Sequence, residues 1–366
     1  MPSVEVRGLT KTYGKVTALE RVDLEIGDGE YLAIVGPSGC GKTSLIKSIA
    51  GIIKPTTGAV SISGADVTGL PIEDRGAGYV FQEIALFPHM DGASNIGYGL
   101  LIRGKPEKER RSQVAEMAHL LNLEEYLDSF PNEMSGGAKQ KTAIARALAT
   151  GAGLLLLDEP LGALDLKVRT SIRYELRKLV KDLGLTAVHV THDQDEAMSI
   201  CDRLVVMKAG RIIEAGPPEK LYKRPRHLFT AKFLGEANFL EGKVEEVDGD
   251  AVMVDAGVAR LRARANGTSF AKGDRCVLAI RPEHIKVSGS TKGATEYSVK
   301  YVGFAGETLR IGVETGDGTR LLVKAPPTDE ALMIRPGDKV GIDLGGEHVL
   351  IFEYPVDGLE KELALE

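Results

Sequence analysis

Short, largely apolar runs alternate with segments of helical period through the first two thirds of the chain. Tyr31-Leu32-Ala33-Ile34-Val35 and residues 154–157, 187–190 and 204–207 are such runs. Runs of this length and composition predict strands buried on both faces of a parallel sheet, with the intervening segments as its helices. Residues 4–26 alternate like a pair of edge strands around a turn at Gly14, and residues 60–62 and 78–81 predict further strands. From about 89 to 150 the pattern becomes helical. In 112–121 the apolar positions fall at three- and four-residue steps, so Met117 serves packing and His119 faces solvent. The segment after Met134, residues 139–148, predicts another helix.

Near Gly235 the character changes. From Phe239 onward the helical period gives way to short alternating runs and Gly-Asp turns, and Asp248-Gly249 between two such runs signals a hairpin. The segment Gly273-Asp274-Arg275-Cys276-Val277-Leu278-Ala279-Ile280, followed by Glu283-His284-Ile285, has an echo. It returns 64 residues later as Gly337-Asp338-Lys339-Val340-Gly341-Ile342-Asp343-Leu344, followed by Glu347-His348-Val349. That predicts two related β-units in one domain. The expected division is an α/β domain over 1–235, with its helical insert at about 89–150, and an all-β domain over 236–366.

The candidate chemistry starts at Gly36-Pro37-Ser38-Gly39-Cys40-Gly41-Lys42-Thr43, with Ser44 next in line. It satisfies the full G-x-x-x-x-G-K-[ST] pattern of a phosphate loop. Glycines let the backbone approach a polyphosphate closely and turn several N–H groups toward it. The apolar run before it predicts a strand, and the segment after it a helix whose N-terminus faces the anion. Lys42 is placed to bridge the β- and γ-phosphates, and the Thr43 hydroxyl to ligate Mg²⁺.

Asp158 and Glu159 end the apolar run of 154–157. A carboxylate at the C-terminal end of a central strand sits at the sheet edge where open α/β folds bind ligands. Asp158 is the second candidate for Mg²⁺, and Glu159 is placed to polarise a water against the γ-phosphate. No Asn-Lys-x-Asp guanine reader occurs in the chain, which argues against a GTPase.

With these motifs in this order the chain resembles the ATP-binding subunits of ABC transporters, over nearly its whole length. Ser135-Gly136-Gly137 resembles that family's signature, which implies contact with the γ-phosphate of ATP held by a partner subunit. Gln82 resembles the glutamine that touches Mg²⁺ and links the site to the membrane partner. Leu164-Asp165 resembles the aspartate loop, His192 the switch histidine that holds the γ-phosphate and the attacking water, and Tyr13 the aromatic that stacks on adenine. The signature departs from the usual pattern at Met134, Ala138 and Lys141, in place of Leu, Gln and Arg, and Gly162 stands where Ser is common in the aspartate loop. Arg281-Pro282-Glu283-His284 resembles a motif in the accessory β-barrel of sugar, polyamine and iron importer ATPases. The fold implied is an ABC-type α/β phosphate-loop NTPase plus an OB-like, TOBE-like β-domain.

The same resemblance implies an ATPase that pairs with a second copy of itself and powers solute import. Its partners would be two transmembrane permease subunits and, indirectly, an extracytoplasmic solute-binding protein. The competing reading is a soluble ABC-type ATPase acting on nucleic acid or ribosomes. The chain has one phosphate loop and no sustained heptads, whereas such proteins usually join two ATPase units or insert a long coiled coil. The cargo stays open among sugars, polyamines, ferric iron and phosphonates, although residues 233–239 look slightly more like iron- and phosphonate-type subunits.

Composition narrows the setting. A net charge of −6 argues against a duplex DNA binder. No apolar run approaches the roughly 20 residues of a spanning helix, and residues 2–7 lack a signal peptide's apolar core. The expected location is therefore the cytoplasmic face of a membrane, reached through a partner. Cys40, Cys201 and Cys276 form no metal spacing and no even framework, as in a reducing compartment. Cys40 lies inside the phosphate loop, where a helix N-terminus can lower a thiol pKa and favour oxidative inhibition; a small residue that fits is the simpler reading. His284 and His348 are candidates for metal ligation or for packing at strand ends.

Overall fold

A six-stranded sheet forms the centre of the first half of the chain. The computed structural model describes residues 2–265, 267–289 and 296–364. Contacts divide the chain into two units, Met1–Glu219 and Lys220–Leu365.

In the first unit the elements run β1 (Val4–Tyr13), β2 (Val16–Ile26), β3 (Tyr31–Val35), α1 (Lys42–Ala50), β4 (Thr57–Ile62), β5 (Ala65–Asp66) and β6 (Ala77–Val80). They continue as α2 (Gly92–Ile102), α3 (Glu107–Leu121), α4 (Gly136–Leu148), β7 (Leu154–Asp158), α5 (Leu166–Asp182), β8 (Thr186–Val190), α6 (Gln194–Ile200), β9 (Arg203–Lys208) and β10 (Arg211–Gly216). The central sheet has the order β10-β9-β3-β8-β7-β6. All neighbours are parallel except β10, which turns back antiparallel on β9. Every residue of β3, β7 and β8 is buried, which is why their sequences lack the alternation of a half-exposed strand. Leu45, Ile46 and Ile49 of α1 join Leu154, Leu156 and Val188 in one apolar cluster, so the helix behind the phosphate loop is fixed to the sheet.

Two expectations change. Residues 4–13 are not an edge strand: β1 lies inside a separate sheet of order β2-β1-β4-β5, with Val6 opposite both Leu24 and Val60. Local alternation shows which face a strand buries, but not whether a later strand will pair on its far side. The helix after Met134 starts at Gly136 rather than at Lys139, because Ser135 caps it by accepting from Ala138 N at 3.2 Å.

The second unit carries α7 (Pro218–Lys223, from Lys220 onward), α8 (Leu228–Phe233), β11 (Asn238–Asp248), β12 (Ala251–Asp255), β13 (Arg260–Ala265), β14 (Arg275–Ile280) and β15 (Lys286–Gly289). After these come β16 (Glu296–Phe304), β17 (Leu309–Glu314), β18 (Arg320–Ala325), β19 (Lys339–Asp343) and β20 (Leu350–Glu353). Strands β11-β12-β13-β20-β14 close a barrel, and β15-β19-β16-β17-β18 form a second sheet. The hairpin expected at Asp248-Gly249 joins β11 to β12, with Gly249 at φ 57°.

The sequence echo has a structural meaning. Each repeat is a strand, a short 3₁₀ turn and a second strand: β14, Pro282–His284 and β15 in the first, β19, Gly346–His348 and β20 in the second. The repeats exchange strands, for β14 pairs with β20 in the barrel and β15 pairs with β19 in the other sheet. The two turns therefore cross, and the rings of His284 and His348 stack with centroids 4.0 Å apart.

Asn238 ties the barrel to β18. Its Oδ1 accepts from Leu322 N at 2.7 Å, and its Nδ2 donates to Leu322 O at 2.8 Å and to Ile280 O at 3.3 Å. Asn238→Ala leaves a part-buried N–H without its partner, so it should destabilise the β-unit by about 2 kcal/mol. Urea denaturation followed by circular dichroism measures this; a loss below about 0.5 kcal/mol, the scale of an ordinary surface substitution, would contradict it.

Candidate active site

The C-terminal ends of β3, β8 and β7 lie side by side, and each releases its chain into a turn bearing one part of the constellation. After β3 comes the phosphate loop. Gly41 sits at φ 104°, where a side chain is strained, and a Cβ there would lie 2.3 Å from the Ala18 carbonyl oxygen. A Cβ on Gly36 would meet the Met207 carbonyl oxygen at 2.3 Å. The loop is thus pressed against β2 and β9, and its shape is held from outside as well as by its own turns. Lys42 Nζ donates to the carbonyls of Gly36 at 2.7 Å and Pro37 at 2.9 Å. An ammonium so placed is poised above the loop, and an anion must draw it away from those carbonyls.

Asp158 ends β7. Thr43 Oγ1, in the first turn of α1, donates to its Oδ1 at 3.2 Å, and the Tyr79 hydroxyl of β6 donates to its Oδ2 at 2.8 Å. Burial, and then the Asp158 carboxylate, push the Tyr79 hydroxyl far above its usual pKa, so it remains a donor. Sequence reasoning placed Tyr79 in a strand and missed this role, because the pairing of β6 with β7 that brings it to Asp158 leaves no local signal.

Glu159 has φ 47°, a left-handed backbone uncommon for a residue with a side chain, and its N–H donates to Val190 O at 2.9 Å across the sheet edge. Its Oε2 is shared between Gln82 Nε2 at 3.1 Å and His192 Nδ1 at 3.2 Å. Three residues expected to work together are therefore joined through one carboxylate oxygen.

His192 is held from beneath. Asp193 caps α6 by accepting from Glu196 N at 2.9 Å, and it faces Arg169 and Arg173 of α5 at 3.5 and 3.7 Å. Below this turn runs a buried polar chain that the sequence reading did not identify. Tyr31 and His189, both 0% exposed, meet at 2.9 Å between the hydroxyl and Nδ1. His189 Nε2 lies 2.8 Å from Glu196 Oε1, without hydrogen-bond alignment, and Thr191 Oγ1 donates to Glu196 Oε2 at 3.2 Å. The signal was a histidine and a tyrosine inside otherwise apolar strands. Such groups persist in a core only when paired.

Other predicted residues lie apart. Tyr13 is 49% exposed at the tip of the β1–β2 hairpin, with the Lys11 ammonium 4.9 Å from its ring centre. That hairpin reaches the loop through Ala18. Ser135 and Gly136 are exposed at the start of α4. A Cβ at Gly136 would meet Leu164, and one at Gly137 would meet Val168, so small residues let α4 approach the turn and first helical turn that follow Gly162. Asp165 caps α5 through Val168 N at 3.1 Å. No hydrogen bond among the described residues links Ser135, Gly136 or Gly137 to the phosphate loop of the same chain. At the departures, Ala138 is buried and Lys141 pairs with Glu175 of α5 at 2.5 Å, a point contact where an arginine offers a fork.

The donor set at Thr43 and Asp158 fits Mg²⁺. A hydroxyl and a carboxylate oxygen beside a phosphate cradle are hard ligands, and Mg²⁺ is usually held by one or two carboxylates with phosphates and water completing its shell. No group of three or more His, Cys, Asp or Glu side chains able to hold a metal occurs among the described residues, and such a site does not require one.

Cys40 behaves as a small buried residue of the loop and not as a thiol activated by the helix terminus. Burial raises its thiol pKa more than the neighbouring Lys42 lowers it. At 5% exposure, desolvation of the thiolate outweighs the helix terminus. A raised pKa means less thiolate at any given pH, so at pH 8 Cys40 in the folded chain should alkylate at least about tenfold more slowly than after denaturation, and faster as pH rises. Peptide mass spectrometry after iodoacetamide pulses reads this. Labelling at pH 7 as fast as in the denatured chain would contradict it.

Comparison with known proteins identifies the chain's relatives. A family model described as "ABC transporter" matches residues 19–162, and one described as "TOBE domain" matches 278–352. A spermidine/putrescine import ATP-binding protein, PotA, of Rubrobacter xylanophilus is 40% identical over 351 residues, 95% of this chain and 93% of the relative. An Fe(3+) ions import ATP-binding protein, FbpC 1, of Rhizobium meliloti is 41% identical over 330 residues, 90% of this chain and 92% of the relative. Among solved structures, a dimeric ATP-binding cassette in a post-hydrolysis state bound to ADP and Pi is 33% identical with a TM-score of 0.53, covering 59% of this chain and 98% of that one.

Proposed function

The chain belongs to the ATP-binding subunits of ABC importers, and from that premise we propose that two copies enclose two ATP molecules, each site being built from both chains. One copy supplies the phosphate loop from Gly36 to Ser44, with Tyr13 against the adenine, together with Gln82, Asp158, Glu159 and His192. The other supplies Ser135, Gly136 and Gly137. The observation that carries this reading is the sharing of Glu159 Oε2 by Gln82 and His192 beside the Thr43–Asp158 pair, while the helix start at Ser135 is exposed and unconnected to its own loop. An exposed helix N-terminus with glycines is an anion site seeking an anion.

In hydrolysis, a water oxygen attacks the γ-phosphorus and the bond to the β–γ bridging oxygen breaks. Glu159 accepts the water's proton, and His192, bonded to the same carboxylate, orients the water and the γ-phosphate. Mg²⁺ held by Thr43 and Asp158, with Gln82 at its shell, would neutralise charge building on the β- and γ-oxygens. Lys42 would leave the Gly36 and Pro37 carbonyls for those same phosphates. Because ATP lies between the copies, its binding closes the pair and its loss opens it.

No helix among the described residues is long and apolar enough to cross a membrane. In this reading two permease subunits supply the channel, the chain sits on them at the cytoplasmic face, and a solute-binding protein delivers cargo from outside. The relatives named for spermidine/putrescine and for Fe(3+) match almost equally well, as expected of a subunit that handles ATP and not the cargo. Both are import proteins, and neither supports action on nucleic acid or ribosomes.

If Glu159 is the base, Glu159→Gln should bind ATP, lose hydrolysis by about two orders of magnitude or more and accumulate as an ATP-bound dimer. Phosphate-release assays and size-exclusion chromatography with ATP test this. Near-normal turnover would remove Glu159 from the role.

A further inference from the structure

The crossing of the two β-repeats in the second unit gathers cations at one place. A cavity of about 330 Å³ is lined by Lys223, Arg224, Arg264, Arg281, His284 and His348, with Tyr222 and Leu350. No carboxylate is among the residues lining it. Glu283, which accepts from the Tyr222 hydroxyl at 2.5 Å, and Asp343 line a separate cavity that His284 and His348 also border.

Arg281 forms the floor and is 4% exposed. Its guanidinium donates to the carbonyls of Ala231 at 2.9 Å, Glu236 at 3.1 Å and Tyr222 at 3.2 Å, and lies 4.2 Å from the centre of the Tyr222 ring. Those partners are neutral. Its Nε is buried without a partner, and no ion pair neutralises it among the described residues. A buried cation satisfied only by dipoles retains its charge in a medium that screens it poorly. Arg264, on β13, also borders the cavity with Asp248 and Asp250 but makes no ion pair with either among the described residues. Burial, and then His348, hold His284 below its usual pKa, with Arg281 and Lys223 acting in the same direction and Glu283 against them.

We propose that this cavity binds a small polyanion of the phosphate class, with the charge of a diphosphate or a bisphosphorylated metabolite. Three arginines, Arg224, Arg264 and Arg281, call for more charge than one tetrahedral anion carries, and the volume lies in the range of small-ligand pockets. Arg264 and Arg224 at the walls can offer planar forks to phosphate oxygens. The stacked histidines close one side. Anion binding there would relieve the repulsion among these groups and strap the two repeats together at their crossing.

Pyrophosphate is the probe, titrated calorimetrically at low salt into the full chain carrying Lys42→Ala to weaken the phosphate loop as a competing site. Histidine ring protons followed by NMR localise the binding. The expected result is one saturable site that shifts the His284 and His348 signals and weakens steeply with salt. Arg264→Glu and Arg224→Glu, both on the cavity wall, should each lower affinity by about tenfold or more without changing the melting curve. Phosphatidylglycerol vesicles form a second arm: capture by vesicles with no pyrophosphate binding would mean a lipid headgroup surface and would overturn the proposal. So would the absence of saturable binding at millimolar pyrophosphate, or binding indifferent to both reversals.

Discussion

A polyphosphate carries its charge on oxygens that must all be met at once, and in the proposed site they are met where three buried parallel strands end side by side. The apolar filling of β3, β7 and β8 sets their ends in register. From those ends come a glycine-rich loop, a carboxylate and a histidine turn. None of these could be placed to within hydrogen-bonding distance by a loop alone. The polar chain from Tyr31 through His189 to Glu196 and Thr191 extends the same constraint into the core, since it fixes the turn that presents His192.

What was legible in the sequence was local. The phosphate loop and the acid pair after residues 154–157 are written in consecutive residues, and each lies in the expected strand, turn or helix, whereas α4 begins three residues earlier than expected because Ser135 caps it. What was not legible needed a partner far along the chain. Tyr79 touches Asp158 because β6 pairs with β7, and β1 becomes an interior strand because β4 returns to it. For Cys40 the helix terminus and a close fit point in opposite directions; burial decides between them, and burial depends on packing that no short window contains. The echo at Gly273 and Gly337 was visible as repetition. The exchange of strands that stacks His284 on His348 was not, because period and alternation do not specify which repeat a strand will pair with.

The left-handed backbone at Glu159 and the shared oxygen between Gln82 and His192 concentrate strain and polar contacts at the one carboxylate assigned to proton transfer. Ser135 stands outside that network. Its own hydrogen bond goes to Ala138 N, and the glycines after it serve close packing against Leu164 and Val168. A site completed by a second copy, as proposed, would explain why a helix start with such composition is left exposed.

Mixing two inactive variants tests that claim most directly. In a heterodimer of Lys42→Ala with Ser135→Arg, one site combines an intact phosphate loop with an intact Ser135 from the other chain, while the second site carries both lesions. Isolated through two affinity tags, this heterodimer should hydrolyse ATP well above either homodimer. If it forms but is no more active than the variants alone, Ser135 acts within its own chain and the shared site is wrong.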